Sequence, residues 1–111
     1  MRAKLLVAIS LSLFAIALQA QTPYTPEKGS PERKAILDAL RIPVERDLKQ
    51  KVVFVAENFN VLGSWAFVSG TPQNANGGSP DYSRTQYADA LDSGAFDNNF
   101  FALLRKTARK W

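Results

Sequence analysis

The sequence predicts a small α+β domain, a kinked N-terminal helix packed on an antiparallel sheet. Three observations predict it. Apolar residues recur every fourth position at Ile36, Leu40, Val44 and Leu48, the stripe of an amphipathic helix. Two β-rich runs follow, separated by Gly63-Ser64. No cysteine occurs in 111 residues, so packing alone must hold the fold.

Residues 1 to 20 precede this domain. Arg2 and Lys4 stand before an apolar run from Leu5 to Leu18, and small residues follow, the layout of an export signal. The run holds 14 residues, Ser10 and Ser12 among them, short of the roughly 20 that span a bilayer. Cleavage is expected near Ala20, with Ala15-Ile16-Ala17 offering a slightly earlier site. No cysteine stands at the junction to carry a lipid, so a periplasmic or secreted product without a stable membrane anchor is expected.

Cleavage would leave 91 of the 111 residues, with twelve basic residues against ten acidic ones and a net charge of +2. A domain of that size buries only about 60–65% of its unfolded surface. The small charge gives no basic footprint for nucleic acid. With neither Cys nor His, the chain has no Ser-His or Cys-His nucleophile and no zinc site of the usual ligands. Carboxylate, hydroxyl, lysine and arginine chemistry remain.

Residues 21 to 29, QTPYTPEKG, read as an extended leader. Ser30 then offers an N-cap, Pro31 a first helical position and Glu32 a negative charge at the positive end of the helix dipole. Pro43 interrupts the stripe, so a bent helix over 31–49, or two helical pieces broken near Arg41 and Ile42, is expected.

From Lys51 the composition changes to that of a strand. Val52 to Val55 form an apolar run, and Phe59 and Val61 alternate with Asn58 and Asn60. Gly63 suits the first central position of a type II′ turn, so residues 52–62 and 65–71 should form a hairpin. Thr71 to Arg84 is a loop dense in Pro, Gly and Asn. Thr85 to Ser93 is a short helix candidate, with Tyr87, Ala88 and Leu91 on one side and Gly94 placed to end it. Phe96 should tuck into the core before Phe100 to Arg105 forms a third strand.

After Thr107 to Lys110, a polar turn, the chain stops at Trp111 where a partner strand should begin. An apolar edge at Phe100 to Leu104 is an aggregation hazard. The sheet is therefore expected to lack C-terminal strands, and the edge to support self-association.

The segments SPERKAILDALR (30–41), VVFV (52–55), VLGSWAFV (61–68), YADALDSGAF (87–96) and ALLRK (102–106) together resemble a group of small exported bacterial proteins without an assigned activity. In that group a kinked helix packs on a curved antiparallel sheet in an NTF2-like or cystatin-like layout. The resemblance covers residues 30 to 111 and brings no catalytic motif. It implies further sheet after the last Trp, from which this sequence departs.

Five residues are candidates for a ligand site. Trp65 and Phe67 share a strand face and either line an apolar pocket or form core under the helix, while Tyr82 or Arg84 would fix a polar end. Tyr87 suits the buried face of its helix. Asp81 and Asp89, near Tyr82, Arg84 and Tyr87, could abstract a proton from a carbonyl compound, but Asp and Ser after Pro80 more simply close a turn. Arg105, Lys106, Arg109 and Lys110 read as a solvated turn rather than a phosphate-binding surface. Gly77-Gly78 lacks the following Lys of a phosphate loop, and the Asp spacing fits no calcium loop. No catalytic residue, cofactor or metal is assigned, and no nucleic-acid partner is expected. The expected function is an exported non-catalytic binding or structural module of the bacterial periplasm; the alternative is an NTF2-like small-molecule-binding enzyme or a relic of one.

Overall fold

The computed structural model describes residues 21–111; the export signal expected over residues 1 to 20 lies outside the described residues. One helix packs against an open, three-stranded antiparallel sheet, so the chain is α+β.

Helix α1 (Pro31–Leu48) starts where its capping residues stand. The Ser30 Oγ accepts the Arg33 N–H at 3.2 Å, Pro31 occupies the first turn, and Glu32 faces the positive dipole end. Lys49 closes the helix in the left-handed region at φ 58°. The helix runs continuously through Pro43, so the two-piece alternative does not form. Pro43 has no N–H, which deprives the Ala39 carbonyl of its helical donor. Tertiary contacts hold both halves: Ile36 and Leu40 are buried before the proline and Leu48 after it. Beside it, the Arg41 Nε donates to the Val52 carbonyl at 3.2 Å, and the Glu45 carboxylate accepts the Val52 N–H at 2.9 Å. Helix and first strand are thus joined across Pro43.

Strand β1 (Val53–Leu62) turns at Gly63-Ser64 into β2 (Trp65–Gln73), with Leu62 opposite Trp65. Gly63 takes φ 57° while Ser64 does not enter the positive region, as a type II′ turn requires. Strand β3 (Phe100–Arg105) pairs antiparallel with β2 and spans the residues the sequence predicts. Within the described residues it is an edge strand.

The register of β1 against β2 slips between Ala56 and Asn58, so Glu57 is an extra residue. This bulge explains a pattern that strict alternation cannot. Phe54 points at the helix on even numbering, and Phe59 and Val61 do so on odd numbering. Gly70 lies opposite Ala56 at the same place, where an added Cβ would stand 1.9 Å from the Val55 carbonyl oxygen. Only glycine permits that approach.

The face under α1 carries Phe54, Phe59, Val61, Ala66 and Val68, with Phe100, Ala102 and Leu104 of β3 partly buried beside them. Ile36, Val61 and Val68 are fully enclosed, each contributing about 1.5–3 kcal/mol relative to exposure. Of the two alternatives for Trp65 and Phe67, core under the helix does not form. They are 44% and 39% exposed on the opposite face, because the small Ala66 and the compact Val68 let the helix approach. Phe101 and Leu103 share that uncovered face at 77% and 67% exposure.

The leader is docked rather than free. Tyr24 exchanges both backbone hydrogen bonds with Val61, at 3.0 and 2.7 Å, and its hydroxyl donates to Glu32 at 2.7 Å. Pro26 is buried, and its carbonyl accepts from Arg33 at 3.1 Å. The leader therefore extends the sheet by one bridge beside β1 and ties it to α1. Among the described residues no helix is long and apolar enough to cross a membrane.

Candidate functional site

A cleft of about 190 Å³ opens where the last turn of α1 meets the segment from Tyr82 to Phe100. Its floor is apolar, supplied by Val44 and Leu48 of the helix stripe, Pro72 of β2 and Phe100 of β3. Three rings form a wall. Tyr82 and Phe96 lie 4.6 Å apart between centroids, Tyr87 and Phe96 5.7 Å, and Tyr82 and Tyr87 6.4 Å with planes at 89°. Asp47, Asp97, Asn98 and Asn99 bring polar groups to it.

The loop that carries Tyr82 is held by a side chain far away in sequence. After β2, Asn74 closes a turn: its Oδ1 accepts the N–H groups of Asn76 and Gly78 at 2.9 and 3.0 Å. The chain then passes Gln50, whose amide Nε2 donates to the Asp81 carbonyl at 2.6 Å and whose Oε1 accepts the Asp81 N–H at 2.9 Å. Tyr82 follows immediately and turns inward, 5% exposed, its hydroxyl donating to Asn98 Oδ1. Burial, and secondarily the neighbouring Tyr87 phenol, raises the Tyr82 pKa above the ordinary tyrosine value.

Tyr87 reaches the cleft by a shorter helix than the sequence suggests. Helix α2 spans only Ala88–Asp92, not Thr85 to Ser93. The reason is local competition: the Thr85 hydroxyl donates to the Tyr82 carbonyl at 2.7 Å and accepts the Tyr87 N–H at 3.2 Å, which commits residues 82–87 to turns. Gly94 ends α2 at φ 76°, with the Ala95 N–H on the Ala90 carbonyl and the Gly94 N–H on the Leu91 carbonyl. The chain then delivers Phe96 to the two tyrosines.

Of the five residues singled out in the sequence, the structure brings Tyr82 and Tyr87 together and separates the other three. Arg84 is exposed and does not line the cleft. Trp65 and Phe67 stand on the uncovered sheet face, where the Arg105 guanidinium lies 5.3 Å from the Trp65 ring. Asp81 is exposed, and its carboxylate accepts from the Ser83 hydroxyl at 2.6 Å and the Ser83 N–H at 2.9 Å. These bonds, led by the hydroxyl and aided by nearby Arg84, hold its pKa below the ordinary value. Asp81 closes the turn, and neither it nor the exposed Asp89 reaches the cleft.

Sequence reasoning missed Asp47, Asp97, Asn98 and Asn99. Asp47 is a polar residue one position from the stripe residue Leu48, and the other three read as a turn before β3. No local sequence signal marks these four residues; they come together only where the end of α1 meets the segment before β3. Among the described residues no three acidic side chains gather into a metal site. Compared with protein families, curated proteins and solved structures, the chain matches no family model, no curated protein and no solved structure.

Proposed function

We propose that this chain is an exported, non-catalytic binding module whose small ligand occupies the cleft between the end of α1 and the Tyr82–Phe100 segment. The single observation that carries the reading is one apolar floor bordered by three aromatic rings of the Tyr82–Phe96 segment. A cleft of about 190 Å³ has room for a single ring. The export-signal pattern read in residues 1 to 20 supports a module that acts in the periplasm or outside the cell. Its helix-on-sheet layout is read as an NTF2-like or cystatin-like arrangement.

The non-catalytic reading follows from the chemistry present. Asp81 is committed to its turn, and the cleft has no histidine, cysteine or lysine; its carboxylates, Asp47 and Asp97, are exposed and are read as binding groups. A thermal-shift screen of ring-sized fragments tests the proposal. Fragments that stabilise the protein should lose that effect in Tyr87→Ala, which removes one wall. Stabilisation that survives Tyr87→Ala, or a library without a single stabilising fragment, would overturn it.

A further inference from the structure

We propose that the ligand of this cleft carries an organic ammonium group joined to an apolar or aromatic body, an inference that rests on the cleft being a binding site. Two carboxylates, Asp47 and Asp97, line it, and no lysine or arginine does. The faces of Tyr82, Tyr87 and Phe96 are negative through their ring quadrupoles, so rings and carboxylates favour the same sign of charge.

The hydrogen bonds inside the cleft leave both carboxylates partly free. Two donors of the cleft are already spent inside it: the Tyr82 hydroxyl on Asn98 and the Asn99 amide on Asp97 Oδ1 at 2.8 Å. Asp47 Oδ1 accepts from Arg46 Nε at 3.4 Å, an exposed pair that water and salt weaken. On both aspartates Oδ2 has no partner among the described residues. Open to an incoming molecule are the two Oδ2 atoms together with the Tyr87 hydroxyl and the remaining Asn98 and Asn99 amide N–H groups; charge therefore decides, and a cation that donates hydrogen bonds satisfies both carboxylates. A carboxylate or phosphate would meet two like charges.

Three probes of one shape test this by NMR titration of the purified protein: benzylammonium, benzyl alcohol and benzoate. Benzylammonium should bind about five- to tenfold more tightly than benzyl alcohol, with benzoate weakest. Replacing both acids, Asp47→Asn with Asp97→Asn, should abolish that order, and both sites are exposed enough for the fold to persist. Raising salt from about 50 mM to about 500 mM should narrow the ratio in the unmodified protein, an arm that needs no variant. Equal binding of benzylammonium and benzyl alcohol would overturn the ammonium assignment and leave the binding module standing. If none of the three shifts the Tyr82, Tyr87 or Phe96 signals, both are overturned.

Discussion

The side chain of Gln50 pairs with the backbone of Asp81 as a strand neighbour would, donating to its carbonyl and accepting its N–H. The same Nε2 also donates to the Leu48 carbonyl at 3.0 Å. One amide therefore joins the open end of α1 to the loop, 31 residues away, that delivers Tyr82 to the cleft. Gln50→Ala should cost about 1–2 kcal/mol, since three hydrogen bonds are lost. Its larger effect should be local. Hydrogen exchange at the Asp81 and Tyr82 amides should accelerate well beyond the global change, and uniform acceleration throughout the chain would contradict the clamp.

The face assignment of β2 makes a prediction opposite to side-chain size. Trp65→Ala removes a half-exposed ring and should be the milder change. Ala66→Leu forces new methylenes under α1 and should destabilise by about 1–3 kcal/mol. Chemical denaturation of the two variants checks the order, and a reversed order would put Trp65 in the core.

Gly70→Ala tests the bulge. The added methyl meets the Val55 carbonyl and the Ala56 backbone, which belong to the paired strand and cannot swing aside. The cost should reach the upper end of about 1–3 kcal/mol. Deleting Glu57 in the same chain removes the extra residue, returns strict alternation with Phe54, Phe59 and Val61 on one face and relieves the crowding at position 70, so the double variant should recover part of the lost stability. A double variant no more stable than Gly70→Ala alone would exclude this role for the bulge.

Much of this architecture was legible locally. Ser30, Pro31 and Glu32 mark the start of α1, Gly63 its hairpin turn and Phe100 to Arg105 its third strand, because each signal is carried by adjacent residues. The bulge at Glu57 was not legible, since Val52 to Val61 contains two alternations of opposite parity and only pairing with β2 reveals where one residue is skipped. Trp65 and Phe67 misled because apolar bulk suggests burial, whereas the helix needs the small Ala66. The docking of Tyr24 on Val61 and of Asp81 on Gln50 depends on distant backbone groups that no spacing announces. Within the candidate site, Tyr82 and Tyr87 could be found as aromatic residues beside a loop; Asp47 and Asp97 required the tertiary meeting of α1 with the segment before β3.

Acid should loosen two places, with a definite sign. The pKa values of Asp38 and Asp81 are both lowered in the folded chain, so each contributes stability above its unfolded value near 4 that is lost as pH falls through the lower folded value. The causes differ. Asp38 is held by Lys34 at 2.6 Å and Arg41 at 2.5 Å, charges that salt screens, whereas Asp81 is held mainly by the Ser83 hydroxyl and N–H. Carboxyl titrations at low and high salt should move Asp38 toward its ordinary value and leave Asp81 nearly in place. Equal salt responses would contradict this division.

Phe101 and Leu103 lie on the uncovered sheet face next to Trp65 and Phe67, on a strand with no outer partner among the described residues. An apolar surface of that kind promotes association. Sedimentation should show mass rising with protein concentration, and Leu103→Lys should suppress the rise without lowering the melting temperature. A monomer at every concentration would show that the face does not self-associate.

The most direct test of the cleft is aromatic NMR during titration with benzylammonium. Saturable shifts of the Tyr82, Tyr87 and Phe96 ring signals, with the Trp65 indole unmoved on the far face of the sheet, are the predicted result. Shifts that never saturate, or that appear at Trp65 and not at the three rings, would contradict a ligand site beneath the Gln50 clamp.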